Sequence, residues 1–136
     1  MAVSVSHAYP HVIAASTNTK HVELGVDVER IRTFAPEIWK SFLTPREKEL
    51  IAASPVVERA YLRTLAWSGK ESVLKAIGVG LRMHPKSIDV SELLRSRYPK
   101  SIEIRGIRRC VEMRHWRIAP EFVATVVALQ TPTEIY

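Results

Sequence analysis

From Val56 to Ile77 the chain runs VVERAYLRTLAWSGKESVLKAI with no proline and a single glycine. Ser54-Pro55 precedes this stretch as a breaker and Gly78 follows it as a natural C-terminal stop. The pattern predicts one uninterrupted helix, and at 1.5 Å per residue it would be about as long as a small domain is wide. A chain of 136 residues favours a single domain spanning 1–136. Such a helix must then be the body against which the rest packs.

Strand patterns lie on both sides of it. Residues 2–7 and 11–16 read as two short strands joined by a turn at Tyr9-Pro10, and Val22–Glu29 as a third, so the opening is expected to form an antiparallel meander. Ile88–Val90 is a short strand candidate. Ser91 is expected to cap a turn of helix reaching Arg95. Three alternating stretches then follow at about 101–107, 111–118 and 122–129. Two shorter helices are expected before the long one. Pro36 opens the first, which runs to Phe42. Thr44-Pro45-Arg46-Glu47 starts the second, with Thr44 as N-cap, Pro45 at N1 and Glu47 completing a capping box. Strands, helices and strands again imply an α+β class, with antiparallel strands packed on a long helix.

Composition narrows the setting. The lone Cys110 rules out an internal disulfide and suits a reducing, cytoplasmic location. The first sixteen residues lack a basic leader, and no apolar run approaches membrane-spanning length, so no membrane role is expected. The net charge of +6 is uneven: residues 95–117 hold eight Arg or Lys against Glu103 and Glu112. Aromatic residues are not interleaved there as base stacking requires, which argues against nucleic acid and for an acidic protein or a phosphorylated ligand. A solvated basic strand face is the plain alternative.

Asp27 and Glu29 lie two apart on the third strand, hence on one face and about 7 Å apart. Unpaired, they repel, and a cation between them is a natural remedy. Hard oxygen donors suit Mg²⁺, which takes few protein carboxylates and completes its shell with phosphate and water. An acidic pair on a solvent-facing edge would look the same. Glu71 and Lys75 share a face of the long helix at i, i+4. Lys70 falls inside that helix's apolar stripe and must reach a buried partner or a bound anion; a satisfied structural lysine also fits.

The combination resembles the 4′-phosphopantetheinyl transferase superfamily. Gly25-Val26-Asp27-Val28-Glu29 matches its G-x-D-x-E motif. Trp67 to Leu81, WSGKESVLKAIGVGL, matches W/F-x-x-K-E-x-x-x-K-x-x-G-x-G. Ser4-Val5-Ser6-His7 is similar to the S-x-S-H segment that precedes them, and Phe42 to Glu47 to the F-x-x-x-x-E segment between them. Four segments in the family's order cover nearly the whole chain. The resemblance implies a Mg²⁺-dependent transfer (Mn²⁺ being the alternative metal) of 4′-phosphopantetheine from coenzyme A to a serine of an apo acyl or peptidyl carrier protein. It implies Asp27, Glu29 and Glu71 as metal ligands and Lys75, with Lys70 near it, as neutralisers of phosphate charge. Ser6 and His7 would contact coenzyme A. Glu47 would be the candidate base; its capping role competes with that assignment, and Glu71 or a bound water is the alternative.

The motifs are those of the two-half, surfactin-synthetase-activator type, but the length is that of the single-half, holo-acyl-carrier-protein-synthase type. The chain starts almost on the S-x-S-H strand, as though the first half were missing. A homo-oligomer is therefore expected, a trimer first and a dimer second, in which a neighbour completes the coenzyme A pocket. A non-catalytic half-domain that binds coenzyme A or completes a partner is the competing reading. A nucleic-acid module resting on the C-terminal arginines is a distant third.

Overall fold

The computed structural model describes residues 1–78 and 82–131. Its elements are β1 (Ala2–Ala8), β2 (His11–Thr17), β3 (Val22–Arg30), α1 (Pro36–Phe42), α2 (Pro45–Ala52), α3 (Val56–Ile77), β4 (Ile88–Asp89), α4 (Ser91–Arg95), β5 (Ser101–Ile104), β6 (Ile107–Ile118) and β7 (Phe122–Gln130). This is the expected α+β arrangement. The long helix has the expected bounds. It ends on Gly78, whose φ of 71° is the left-handed conformation that a glycine adopts without steric cost.

The sheet connectivity departs from a meander. β3 does not continue the β1–β2 hairpin; it pairs antiparallel with β7, and the main sheet has the order β3-β7-β6-β5-β4. The reason is visible in burial. Val26, Asp27 and Val28 are all buried, so β3 is covered on both faces, and β7 (FVATVVALQ) is the equally apolar strand that matches it. The hairpin instead crosses the outer edge of β3. There Ser4 Oγ accepts the Val26 N–H at 3.1 Å and Ser6 Oγ accepts the Val28 N–H at 3.2 Å. Two serines thus satisfy backbone donors that an edge strand leaves open.

A second difference lies in the β5–β6 hairpin. Its turn is Arg105-Gly106, with φ of 52° and 78°, and Ile104 faces Ile107 across it. Two consecutive positive φ values make the tight two-residue turn favoured in hairpins, so β6 starts at Ile107 rather than at 111. At α4 the N-cap position belongs to Val90, and the Asp89 carboxylate takes the Ser91 N–H at 2.9 Å.

Strand alternation then sorts the sheet. One face (Val111, Met113, Val123, Val127) packs on Leu65, Ala66, Val73 and Leu74 of α3. On the other, Val28, Phe122 and Ala124 meet Ala8 and Ile13 of the hairpin. Each fully buried aliphatic side chain here contributes roughly 1.5–3 kcal/mol. Gly25, Asp27 and Glu29 share the face of β3 that α3 covers. A Cβ on Gly25 would lie 1.7 Å from the Ser72 carbonyl oxygen, so the glycine is what lets helix and strand approach.

Candidate active site

That close approach brings the two acidic motifs together. Asp27, on the strand, is buried. Its Oδ1 lies 3.8 Å from Lys75 Nζ and 3.5 Å from Ser6 Oγ, and its Oδ2 is buried without a hydrogen-bond partner. Burial pushes the Asp27 carboxyl up to about 7; Glu29 adds to the rise, and Ser68 and Lys75 offset part of it. Glu71 is raised as well, by burial first and by Glu29 next, with Lys75 opposing. Asp27, Glu29 and Glu71 therefore repel one another across the β3–α3 contact. One ammonium, that of Lys75, stands among three carboxylates.

Lys75 is itself held in place. Its Nζ donates to the Val26 carbonyl at 2.9 Å and to the Val5 carbonyl at 3.3 Å, which ties α3 to β3 and β1 at once. Glu29 is aimed by Trp67, whose Nε1–H donates to Oε1 at 2.9 Å while its ring packs on Phe42. Ser68 and Ser72 form a buried hydroxyl cluster with Thr125 of β7, which sits opposite Asp27 in the ladder. Trp67, Ser68 and Ser72 fall within the second motif without an assigned role, and Thr125 lies outside every motif; the i, i+4 relation of Trp67 to Glu71 and the register of β7 are the signals that point to their parts.

Lys70 and Glu47 are placed elsewhere. Both side chains are 0% exposed, and Lys70 Nζ meets Glu47 Oε1 at 2.8 Å. Lys70 also donates to the carbonyls of Pro85 and Ile88, at 3.0 and 2.6 Å. Glu47 Oε1 accepts the Thr44 N–H at 2.8 Å in the expected capping box, and Oε2 accepts the Val90 N–H at 2.7 Å. Every one of these groups is engaged inside the protein. Burial pushes the Lys70 ammonium down, with Glu47 opposing. The pair binds α2, α3 and the 85–90 segment into one unit. Asp89 extends it: Thr44 Oγ1 donates to its Oδ2 at 2.5 Å.

Of the remaining sequence candidates, Ser6 bridges β1 and β3 next to Asp27, and His7 is exposed beyond it. The Val79-Gly80-Leu81 end of the second motif lies outside the described residues. The arginines of β6 do not form one stripe. Arg108 and Arg114 alternate with Arg109 and Arg117 onto opposite faces. Arg114 lies over the Tyr98 ring, Arg117 lies over the Tyr61 ring, and Arg109 donates to the Gln130 carbonyl.

The donor set fits a hard divalent ion. Its oxygens carry excess negative charge, and one of them is buried with no partner. Among the described residues no three acidic, histidine or cysteine side chains are gathered as a ready-made cage.

A model of the 4′-phosphopantetheinyl transferase superfamily matches residues 23–127. The chain belongs to this superfamily. The match runs from the start of β3 to Val127 and so contains both acidic motifs. Among solved structures, the holo-acyl-carrier-protein synthase of Thermotoga maritima superposes with a TM-score of 0.58 at 16% identity, over 81% of this chain and 64% of that one. The likeness is one of fold, and it spans just under two thirds of the Thermotoga chain. No curated protein sequence matches significantly. Among the described residues no helix is long and apolar enough to cross a membrane.

Proposed function

We propose that this chain transfers 4′-phosphopantetheine from coenzyme A to a serine hydroxyl of an acyl or peptidyl carrier protein. The observation that carries the reading is the electrostatic crowding of Asp27, Glu29 and Glu71 across the β3–α3 contact, with Lys75 3.8 Å from Asp27 and one Asp27 oxygen buried and unpartnered.

Asp27, Glu29 and Glu71 would hold Mg²⁺, with Mn²⁺ the alternative; the ion supplies positive charge against the pyrophosphate of coenzyme A. Lys75 sits at the mouth of this acidic set, with its side chain 36% exposed, and meets the negative charge of the transferring phosphoryl group. Attack by the serine oxygen on that phosphorus forms one P–O bond and breaks another, releasing adenosine 3′,5′-bisphosphate. Such a step needs positioning and charge neutralisation rather than a covalent helper. The serine proton needs an acceptor. Glu71, half-buried beside the site, is the candidate for that role, with a metal-bound water as the alternative. Glu47 has no exposed surface and both oxygens occupied, so its part is to hold Lys70 and, through it, α3. Ser6 joins the β1 edge to Asp27, and the exposed His7 beside it is left to meet the coenzyme.

Incubating the protein with coenzyme A, Mg²⁺ and a panel of apo carrier proteins tests this directly. Mass spectrometry should show the gain of one phosphopantetheine unit on at least one carrier. No gain on any of them, with coenzyme A binding intact, would favour a binding half-domain instead.

A further inference from the structure

A second charged site lies about two to three turns up α3 from the carboxylates. Residues 59, 63, 67 and 71 follow one another at i, i+4 along the helix, so Arg59, Arg63, Trp67 and Glu71 form a single row. At 1.5 Å per residue, Arg63 and Glu71 are about 12 Å apart along the axis. Beside Arg59 and Arg63 the junction of α1, α2 and α3 forms an open-sided cavity of about 380 Å³. Lys40 and Lys48 complete its charged rim. Its buried apolar lining is Leu43 and Ile51, with Ala52 and Trp39 also lining it.

Four cations line this space and no carboxylate does. Among the described residues none of the four is in an ion pair. Arg59 is fixed by donating to the Ser54 and Ala52 carbonyls at 3.1 and 3.0 Å. Arg63 stacks on Trp39, 4.4 Å from the ring centroid, and its Nε–H is buried with no acceptor. A guanidinium N–H shielded from water without an acceptor is unfavourable. Like charges crowded around one cavity add to that cost, and burial together with Arg59 lowers the Arg63 pKa. An anion in the cavity offsets that crowding of like charge.

We propose that this cavity is a binding site for a phosphate dianion carried on a small organic molecule. The guanidinium fork and the two ammonium groups match the several oxygens and double charge of a phosphomonoester better than a single carboxylate. The volume lies at the lower end of small-molecule pockets, which leaves room for an organic body against Trp39 and the aliphatic lining. The site is defined by its own residues and stands whether or not the transfer reading holds.

The test uses the whole chain without metal or coenzyme A. Inorganic phosphate and adenosine 5′-monophosphate are titrated separately, at ionic strength held constant with chloride. The readouts are the Trp39 indole resonance and the melting temperature. Both ligands should move the Trp39 signal saturably, with the nucleotide binding more tightly if the ring side is used. Arg63→Gln and, separately, the Lys40→Gln/Lys48→Gln pair should each weaken phosphate binding at least tenfold. The second variant alters only rim lysines, so a folding defect in Arg63→Gln leaves the test intact. Unaltered phosphate affinity in the folded variants, or an equal response to chloride alone, would overturn the assignment.

Discussion

The missing Cβ of Gly25 and the carbonyl oxygen of Ser72 define the distance between strand β3 and helix α3: a methyl group there would sit 1.7 Å from that oxygen. The obstacle is backbone, so it cannot be relieved by a rotamer change. Gly25→Ala should push the helix off the strand at the point where Asp27 and Glu71 must converge. Overpacking of a tight core costs about 1–3 kcal/mol, and more when the backbone must move. Denaturant unfolding should place the loss at the upper end of that range, and transfer activity should fall further than the folded fraction does. A loss below about 1 kcal/mol would mean that the two elements are less tightly joined than this contact requires.

Asp27 makes stability depend on pH in a sense opposite to that of most carboxylates. Its pKa rises from 3.8 to about 7 in the folded chain, chiefly through burial and then through Glu29. The folded state thus holds a proton that the unfolded state has released. Without metal, stability should be greatest below about pH 4 as far as this group is concerned, and should decline as pH rises to about 7. A tenfold difference in proton affinity between the two states corresponds to about 1.4 kcal/mol, so the full decline is at most about 4 kcal/mol. Asp27→Asn should flatten that slope and raise the melting temperature in chelator at about pH 8. It should also abolish the rise in melting temperature that Mg²⁺ gives the wild type. A variant that still responds to Mg²⁺ as the wild type does would take Asp27 out of the metal site.

The Lys70–Glu47 pair separates structure from chemistry. Removing one partner of a buried ion pair leaves an uncompensated charge and costs about 3–5 kcal/mol. Glu47→Ala should show a loss of that size, and so should Lys70→Ala. The double change Glu47→Leu/Lys70→Met should lose less than the sum of the single changes, because it strands no charge. It also leaves Thr44 and Val90 N–H groups unmet, so full recovery is not expected. Measured per folded molecule at low temperature, the double variant should keep activity within about tenfold of wild type. A loss of several orders of magnitude with the fold intact would restore Glu47 as the base.

Much of this arrangement is legible in the sequence because local chemistry specifies it. The Thr44–Glu47 capping box, the Gly78 stop and the same-face spacing of Asp27 and Glu29 follow from rules that act within a few residues. What the sequence hides is long-range. Nothing near β3 announces that β7, far along the chain, is its ladder partner. Lys70 illustrates the limit. Its place in the apolar stripe shows that it must find a partner, but only the fold shows that Glu47 meets it. Likewise the sequence places Ser6 at the coenzyme, and only the fold shows that its hydroxyl also accepts the Val28 N–H at the edge of β3, as Ser4 accepts that of Val26. The Arg105-Gly106 turn is within reach, since a glycine between two alternating runs marks a hairpin, and the density of arginines around it masks that signal.

The outer face of the hairpin leads to the last prediction. Ser4 and Ser6 point into the protein, so strand alternation turns Val3 and Val5 outward, where they are 58% and 54% exposed. Val12 on β2 is 73% exposed. Three β-branched aliphatic residues on one two-stranded sheet make a patch that a neighbour can cover. A self-association through this face would set a second copy beside His7, which shares it, where the coenzyme needs a wall. We expect a homo-oligomer, a trimer before a dimer, in light scattering at micromolar concentration. Val3→Lys with Val5→Lys should shift the protein to monomer while leaving the far-UV spectrum unchanged, and should raise the KM for coenzyme A more than it lowers kcat. A wild-type monomer that transfers phosphopantetheine at full rate would show that the site is complete within one chain.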